Sequence, residues 1–218
     1  METLRARVPI SRGRRQKHRE DPIPNHLGEK AIFIAIDVGY YDEDKATAVA
    51  VVFESLDSPD FKFHLKIGSV GIAPYEPGKF YLRELPSIRE LLAVILAEPG
   101  ADTGCAPLDN LRIPIDDVEC IFIDGYVDLG AAPGLGRYVY NLSEVNAIPV
   151  IGIAKTKFKF GWAAEVLRGK SKKPLYVTAA GMSQEDAAAI VSKLHGPYRM
   201  PTLIKETDRL TRIPFANI

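Results

Sequence analysis

Cysteine is scarce in this chain of 218 residues: there are two, Cys105 and Cys120, fifteen positions apart. That number and spacing exclude a disulfide-stapled secreted scaffold and a cysteine-based zinc site. Net charge is absent as well. Lys plus Arg and Asp plus Glu both number 28, so no global field draws the protein to nucleic acid or an anionic membrane, and any such affinity must be local. No apolar run approaches the roughly 20 residues of a membrane span. The opening METLRARVPISRGRRQKHRE lacks the apolar centre of a secretory signal, and Glu2, Glu20 and little serine speak against an organellar transit peptide. A cytoplasmic protein without a membrane partner is expected.

What remains is 46% hydrophobic, enough for a single domain of this length to bury roughly 70% of its unfolded surface. Residues 1–30 carry seven basic side chains between Arg5 and Arg19 and few apolar ones, which predicts a mobile basic arm preceding a domain at 31–218. Such an arm is either a solubilising tail or a grip on phosphates through counterion release.

From residue 31, AIFIAIDVGY is β-branched and nearly continuously apolar, the pattern of a strand covered on both faces, and it is read as ending at Asp37. TAVAVVF and FKFHLKIGSV follow as a meander. Ile88, Leu91, Leu92 and Ile95 have helical spacing, predicting a helix over 85–97 with Pro86 in its first turn. Residues 98–117 read as an irregular loop. VECIFID, IPVIGIAK and PLYVTAA are further strands, RYVYNLSEVN a short helix after a glycine-rich turn, and SQEDAAAIVSKLHG a capped helix. The order gives an α/β domain with a mixed sheet.

Asp37, Asp124 and Lys155 then sit at strand ends, where open α/β sheets bind ligands, and Glu84 falls where the first helix begins. Carboxylates converging from separate elements raise one another's pKa or require a cation, and oxygen-rich clusters select Mg²⁺ or Mn²⁺. Each residue alone also suits a structural role: an Asx-turn for the aspartates, a first-turn helix acid for Glu84, a solvated strand end for Lys155.

The ordered set IAIDVGY (34–40), PYEPGKFYLRELP (74–86), IFIDG (121–125), PVIGIAK (149–155), PLYVTAAG (174–181) and YRMP with Asp208 (198–208) resembles the endonuclease V family over residues 31 to 210. The resemblance implies a ribonuclease H-like mixed sheet flanked by helices. It implies a metal, Mg²⁺ with Mn²⁺ as a substitute, on Asp37, Glu84 and Asp124, and a catalytic lysine at Lys155. It implies a strand-separating wedge at Tyr75 between Pro74 and Pro77, and a base pocket built from backbone near Gly125, Gly134 and Gly136. The implied reaction is hydrolysis of the second phosphodiester 3′ to inosine in damaged DNA, or in RNA, by a monomer, leaving a 5′ phosphate.

The chain departs from the family pattern in three places, one of them near the end, where Ile204 and Lys205 or their neighbours replace an expected arginine and proline although Asp208 remains. DGYVDLGAAPGLG contains no histidine, so discrimination of inosine from other deaminated bases is expected to be less sharp. Gly181 or Met182 stands where the family places a histidine or aspartate beside the metal, with Ser183, Glu185 and Asp186 as the nearest polar substitutes. Two other functions fit the same residues: a catalytically weakened nucleic-acid-binding relative, and a ribonuclease H-like nuclease with a different substrate.

Overall fold

The alternation of the first apolar run decides the architecture. In β1 (Ile32–Asp42), Phe33 and Ala35 point to one side while Ile34, Ile36 and Val38 point to the other, and both sets are buried. A strand buried on both faces must be central. The computed structural model, which describes residues 31–42, 44–70, 72–74, 76, 78–96, 112–145, 148–159 and 162–213, places it so. The expected basic arm at 1–30, and with it Cys105, Tyr75 and Pro77, lies outside the described residues.

β1 pairs antiparallel with β2 (Lys45–Phe53), which pairs antiparallel with β3 (Phe63–Val70). On its other side β1 runs parallel to β4 (Val118–Asp124), and β4 runs parallel to β7 (Val150–Ala154). Antiparallel β9 (Leu175–Ala180) and β8 (Ala164–Val166) complete a seven-stranded mixed sheet in the order β3-β2-β1-β4-β7-β9-β8. The glycine-rich turn holds a two-residue hairpin, β5 (Asp128–Leu129) with β6 (Ala132–Pro133). This is the ribonuclease H-like mixed sheet that the sequence led us to expect.

Helices cover both faces. On one, α1 (Tyr81–Ile95) buries Ile88, Leu91, Leu92 and Ile95 against Ile34, Ile36 and Ile121, and α2 (Leu135–Tyr140) adds Val139. On the other, Phe33, Phe53 and Phe122 stack with ring centroids 5.5 and 6.0 Å apart along the series. Here α3 (Gln184–Lys193) supplies Ala187 and Val191, and α4 (Thr202–Thr211) supplies Leu203, Ile204 and Leu210. Ser183 caps α3, its hydroxyl accepting from the Asp186 amide at 3.0 Å.

Three expectations are corrected. β1 does not end at Asp37 but continues to Asp42, because antiparallel pairing with β2 persists after β4 has left it. Helix α1 starts at Tyr81, which puts Pro86 in the second turn; Leu82, whose carbonyl thereby loses its helical donor, is 40% exposed and open to water. Helix α4 and strand β8 were not foreseen.

The approach to α4 is held by one buried side chain. Arg168, 6% exposed, donates from Nη1 to the carbonyls of Tyr198 and Arg199, both at 3.2 Å, and from Nη2 to those of Leu194 and Gly196. The planar fork satisfies several acceptors in one turn of chain, which a lysine cannot do. Burial pushes its pKa down. Replacing Arg168 with leucine orphans these carbonyls and should destabilise the fold by about 3 kcal/mol. Arg168→Lys should recover less than half of that loss in urea unfolding; full recovery would show that the charge rather than the fork matters.

Candidate active site

Parallel pairing of β1 with β4 stops at Ile36 opposite Ile123. The next residues are Asp37 and Asp124, so two carboxylates stand side by side on adjacent strands. Both continue the alternation of Phe33 and Ala35, and of Cys120 and Phe122, and therefore lie on the α3/α4 face. Asp124 is opposite Ile153, and Lys155, two residues further along, falls on the same side. Its Nζ lies 2.6 Å from Asp124 Oδ2. Arg199 in turn donates to the backbone carbonyls of Lys155 and Pro174, fixing the chain at that point.

Two more acids arrive from helices. Glu84, in the first turn of α1, comes from the opposite face and is 7% exposed; Tyr40 donates to its Oε1 at 3.1 Å. The Arg83 guanidinium lies 4.4 Å from the centroid of the Tyr40 ring. Asp208 comes from α4, with Arg212 at 2.8 Å. Close packing brings α4 in: a Cβ at Gly39 would collide with the Thr211 side chain, so only glycine lets the helix lie this near β1.

The acids perturb one another. Burial, followed by the charge of Asp124 and with a contribution from Asp208, raises Asp37 to about 6, against the Val38 amide, which donates to its Oδ1 at 2.9 Å, and the Lys155 ammonium. Burial raises Glu84 to about 8; the Tyr40 hydrogen bond opposes this and the charges of Asp37 and Asp124 add to it. Desolvation disfavours charge on Lys155, but the hydrogen bond and charge of Asp124, with Asp37 and Asp208 behind it, prevail and hold its pKa above the ordinary value. Buried and partly buried carboxylates that repel one another, with a committed cation beside them, form a donor set of hard oxygens that suits a divalent ion. Among the described residues, no three His, Cys, Asp or Glu side chains are grouped closely enough to hold a metal as they stand. Asp124 is engaged by Lys155 and Glu84 by Tyr40, so loading would require those partners to yield.

The remaining expected residues divide. Gly125 adopts φ +134°, and a Cβ there would meet nothing within 4 Å, so its backbone borders open space beside Asp124. Gly136 is buried, and a Cβ would press on Ile123 and Val127. Its role is packing rather than lining a pocket. Gly134 likewise backs onto the Tyr126 and Val127 carbonyls. Pro74 is exposed. Gly181 and Met182 do not adjoin the acids: Ala180 is opposite Val150 while Tyr176 is opposite Ala154, so they lie at the other end of the sheet from Lys155, as does the Ser183 cap with Asp186. The further acid beside Asp37 is Asp208, whose helix is signalled by apolar or small positions at Leu203, Ile204, Thr207, Leu210 and Thr211.

Comparison with known proteins shows what the chain as a whole is similar to. No protein-family model matches the chain. It is 28% identical over 200 residues to the endonuclease V of Streptomyces avermitilis, covering 81% of this chain and 77% of that protein. It is 26% identical over 212 residues to that of Xylella fastidiosa, covering 85% and 78%. Among solved structures, human endonuclease V superimposes with a TM-score of 0.63 at 17% identity, covering 84% of this chain and 83% of that one. The Ciona intestinalis enzyme in complex with DNA containing an inosine followed by a ribo-adenosine gives 0.63 at 19% identity, covering 84% and 85%. The chain is thus similar in sequence to curated endonuclease V proteins and shares the fold of solved endonuclease V structures.

Proposed function

We propose that this protein is a metal-dependent endonuclease that hydrolyses nucleic acid carrying inosine or another deaminated base, cutting the second phosphodiester 3′ to it and leaving a 5′ phosphate. The observation that carries the reading is the electrostatic coupling of Asp37 to Asp124 and Asp208 and of Glu84 to Asp37 and Asp124, with Lys155 paired to Asp124. It occurs on a fold shared with an endonuclease V solved on inosine-containing DNA.

Asp37, Glu84 and Asp124, with Asp208 adjoining, would hold Mg²⁺ or Mn²⁺, which when bound polarises a phosphoryl oxygen and lowers the pKa of its water. The chain's own contributions are distinct from this. Lys155 stays protonated and presents a fixed positive charge where negative charge grows on the phosphoryl group. Tyr40 donates to one Glu84 oxygen and limits how that carboxylate turns. Gly125 leaves room at the backbone for a base drawn out of its stack, a step whose cost of a few kcal/mol is least for a mispaired base. Tyr75, between Pro74 and Pro77 in the sequence, would fill the space the base leaves. The protein would act on its substrate as a monomer.

Three outcomes are expected. Asp124→Asn should abolish cleavage of an inosine-containing oligonucleotide in Mg²⁺ while leaving the circular dichroism spectrum unchanged; turnover at the wild-type rate would remove Asp124 from the centre. Lys155→Ala should slow turnover by about 10² to 10³, the loss seen when one electrostatic donor is removed, with substrate affinity nearly constant. A loss confined to affinity would make Lys155 a phosphate clamp instead.

The third concerns pH. Asp37 and Glu84 titrate higher in the folded state than in the unfolded chain, so the metal-free fold binds more protons than the unfolded chain, and these two groups cost it stability as pH rises from the ordinary carboxylate range to about 8. A divalent ion competes with those protons. Adding Mg²⁺ should therefore raise the melting temperature more near pH 8 than near pH 5, with the melting temperature in EDTA falling between the two. An equal Mg²⁺ effect at both pH values, or none, would count against a metal centre at these acids.

A further inference from the structure

An aromatic cleft opens at the same end of the sheet as the acids but on its other face. It has a volume of about 350 Å³ and is lined by Tyr126, Lys157, Phe158, Trp162, Ala163 and Tyr176. Tyr176 is opposite Ala154 and so lies on the α1/α2 side, whereas Asp124 and Lys155 point to the α3/α4 side. The cleft is tied to the acids through the backbone. Tyr126 is two residues beyond Asp124, and Lys157 two beyond Lys155, distances of at most roughly 7 Å along the chain.

The cleft walls are fixed in place. The Tyr126 hydroxyl donates to the Thr156 carbonyl at 2.8 Å and accepts from the Phe158 amide at 2.9 Å, clasping the segment that follows Lys155. The Tyr126 and Phe158 rings stand 6.0 Å apart at 56°. Trp162, by contrast, is 91% exposed, and its carbonyl is held by Gln184 Nε2 at 3.3 Å. A tryptophan so placed costs solvation in the free protein and gains by stacking on a flat partner. The stretch from Lys155 through Lys157, Phe158 and Lys159 to Trp162 interleaves lysines with aromatics; Lys155 is paired with Asp124 and Lys157 with Glu165, so it is the aromatic faces that resemble surfaces stacking unpaired bases.

We propose that this cleft takes an unpaired nucleobase of the strand being cut, stacked on Trp162, so that the enzyme favours single-stranded or locally opened nucleic acid over fully paired duplex. The assignment rests on the nuclease reading above and names its substrate class. A paired base presents only its edges and cannot enter between rings; an unpaired base of any identity presents a face. The cleft therefore selects strand state rather than sequence, and does so apart from the Gly125 backbone.

Trp162 is the sole tryptophan of the chain, so its fluorescence reports the cleft alone. The test uses the full-length Asp124→Asn protein in Mg²⁺, titrated with a short inosine-containing oligonucleotide, single-stranded or in duplex, while anisotropy of a label on the DNA follows binding independently. The expected result is saturable quenching by the single strand, with clearly tighter binding than for the duplex. Trp162→Ala should weaken single-strand binding about ten-fold or more, and Trp162→Phe should recover most of it. In the protein with Asp124 intact, Trp162→Ala should lower cleavage of single-stranded substrate at low concentration with little change at saturation. Binding by anisotropy without any change in Trp162 emission, or equal affinity of Trp162→Ala and its parent, overturns the cleft assignment while cleavage by the wild-type protein leaves the nuclease reading standing. Quenching without cleavage by the wild-type protein overturns the nuclease reading instead.

Discussion

Everything in the site depends on where parallel pairing between β1 and β4 stops. Ile36 and Ile123 are the last partners, and the residues after them are both aspartates. Register on this sheet is not free, since a slip of one residue in β1 would carry Phe33 and Ala35 to the α1/α2 face and turn Asp37 away from Asp124. The three stacked phenylalanines on one side and the isoleucines on the other thus fix the juxtaposition of like charges. Hydrophobic burial, at roughly 25 cal/mol per Å², holds together two groups that would otherwise separate.

The cost of that repulsion is met differently at each acid. Asp124 has Lys155 within 2.6 Å and Asp208 has Arg212 within 2.8 Å. Among the described residues, Asp37 has a backbone amide and the more distant Lys155 charge, and Glu84 has the Tyr40 hydroxyl and the Arg83 charge. Asp37 and Glu84, both raised in pKa chiefly by burial, have no ion-pair partner at contact distance among the described residues, and they come from opposite faces of the sheet. Positive charge introduced between them would relieve both at once, which is the electrostatic basis of the proposed divalent-ion site.

How far the sequence could be read follows from the range of the forces involved. The buried strands and the positions of Asp124 and Lys155 were evident, because parallel strands covered on both sides leave continuous apolar runs that end abruptly. Asp37 was misread as a strand end since the polar residue interrupts an apolar run; only the pairing with β2, remote in sequence, shows that the strand continues. Helix α4 follows a proline and carries Lys205, Glu206, Asp208 and Arg209 among its apolar positions, and its buried threonines hid the period. Without that helix, Asp208, although part of the motif set, has no evident place beside Asp37. Gly181 and Met182 lie far from the acids for a topological reason: β9 runs antiparallel to β7, so the end of β9 returns to the far edge.

The short segment Asp124–Gly125–Tyr126 divides the labour of the molecule. Asp124 belongs to the α3/α4 face and the acids; at Gly125 the backbone swings through φ +134°, which other residues rarely adopt; Tyr126 then belongs to the aromatic cleft on the opposite face. The acids and the proposed base-binding cleft are joined through this turn and through the segment from Lys155 to Lys157. Substitutions in the cleft or in the glycine-rich hairpin leave the register of β1 and β4 untouched, whereas a change in that register destroys the site. A chain built this way can drift to 28% identity with its relatives and lose the histidine expected after the I-D-G motif. What it cannot exchange cheaply is the apolar packing that sets Asp37 against Asp124.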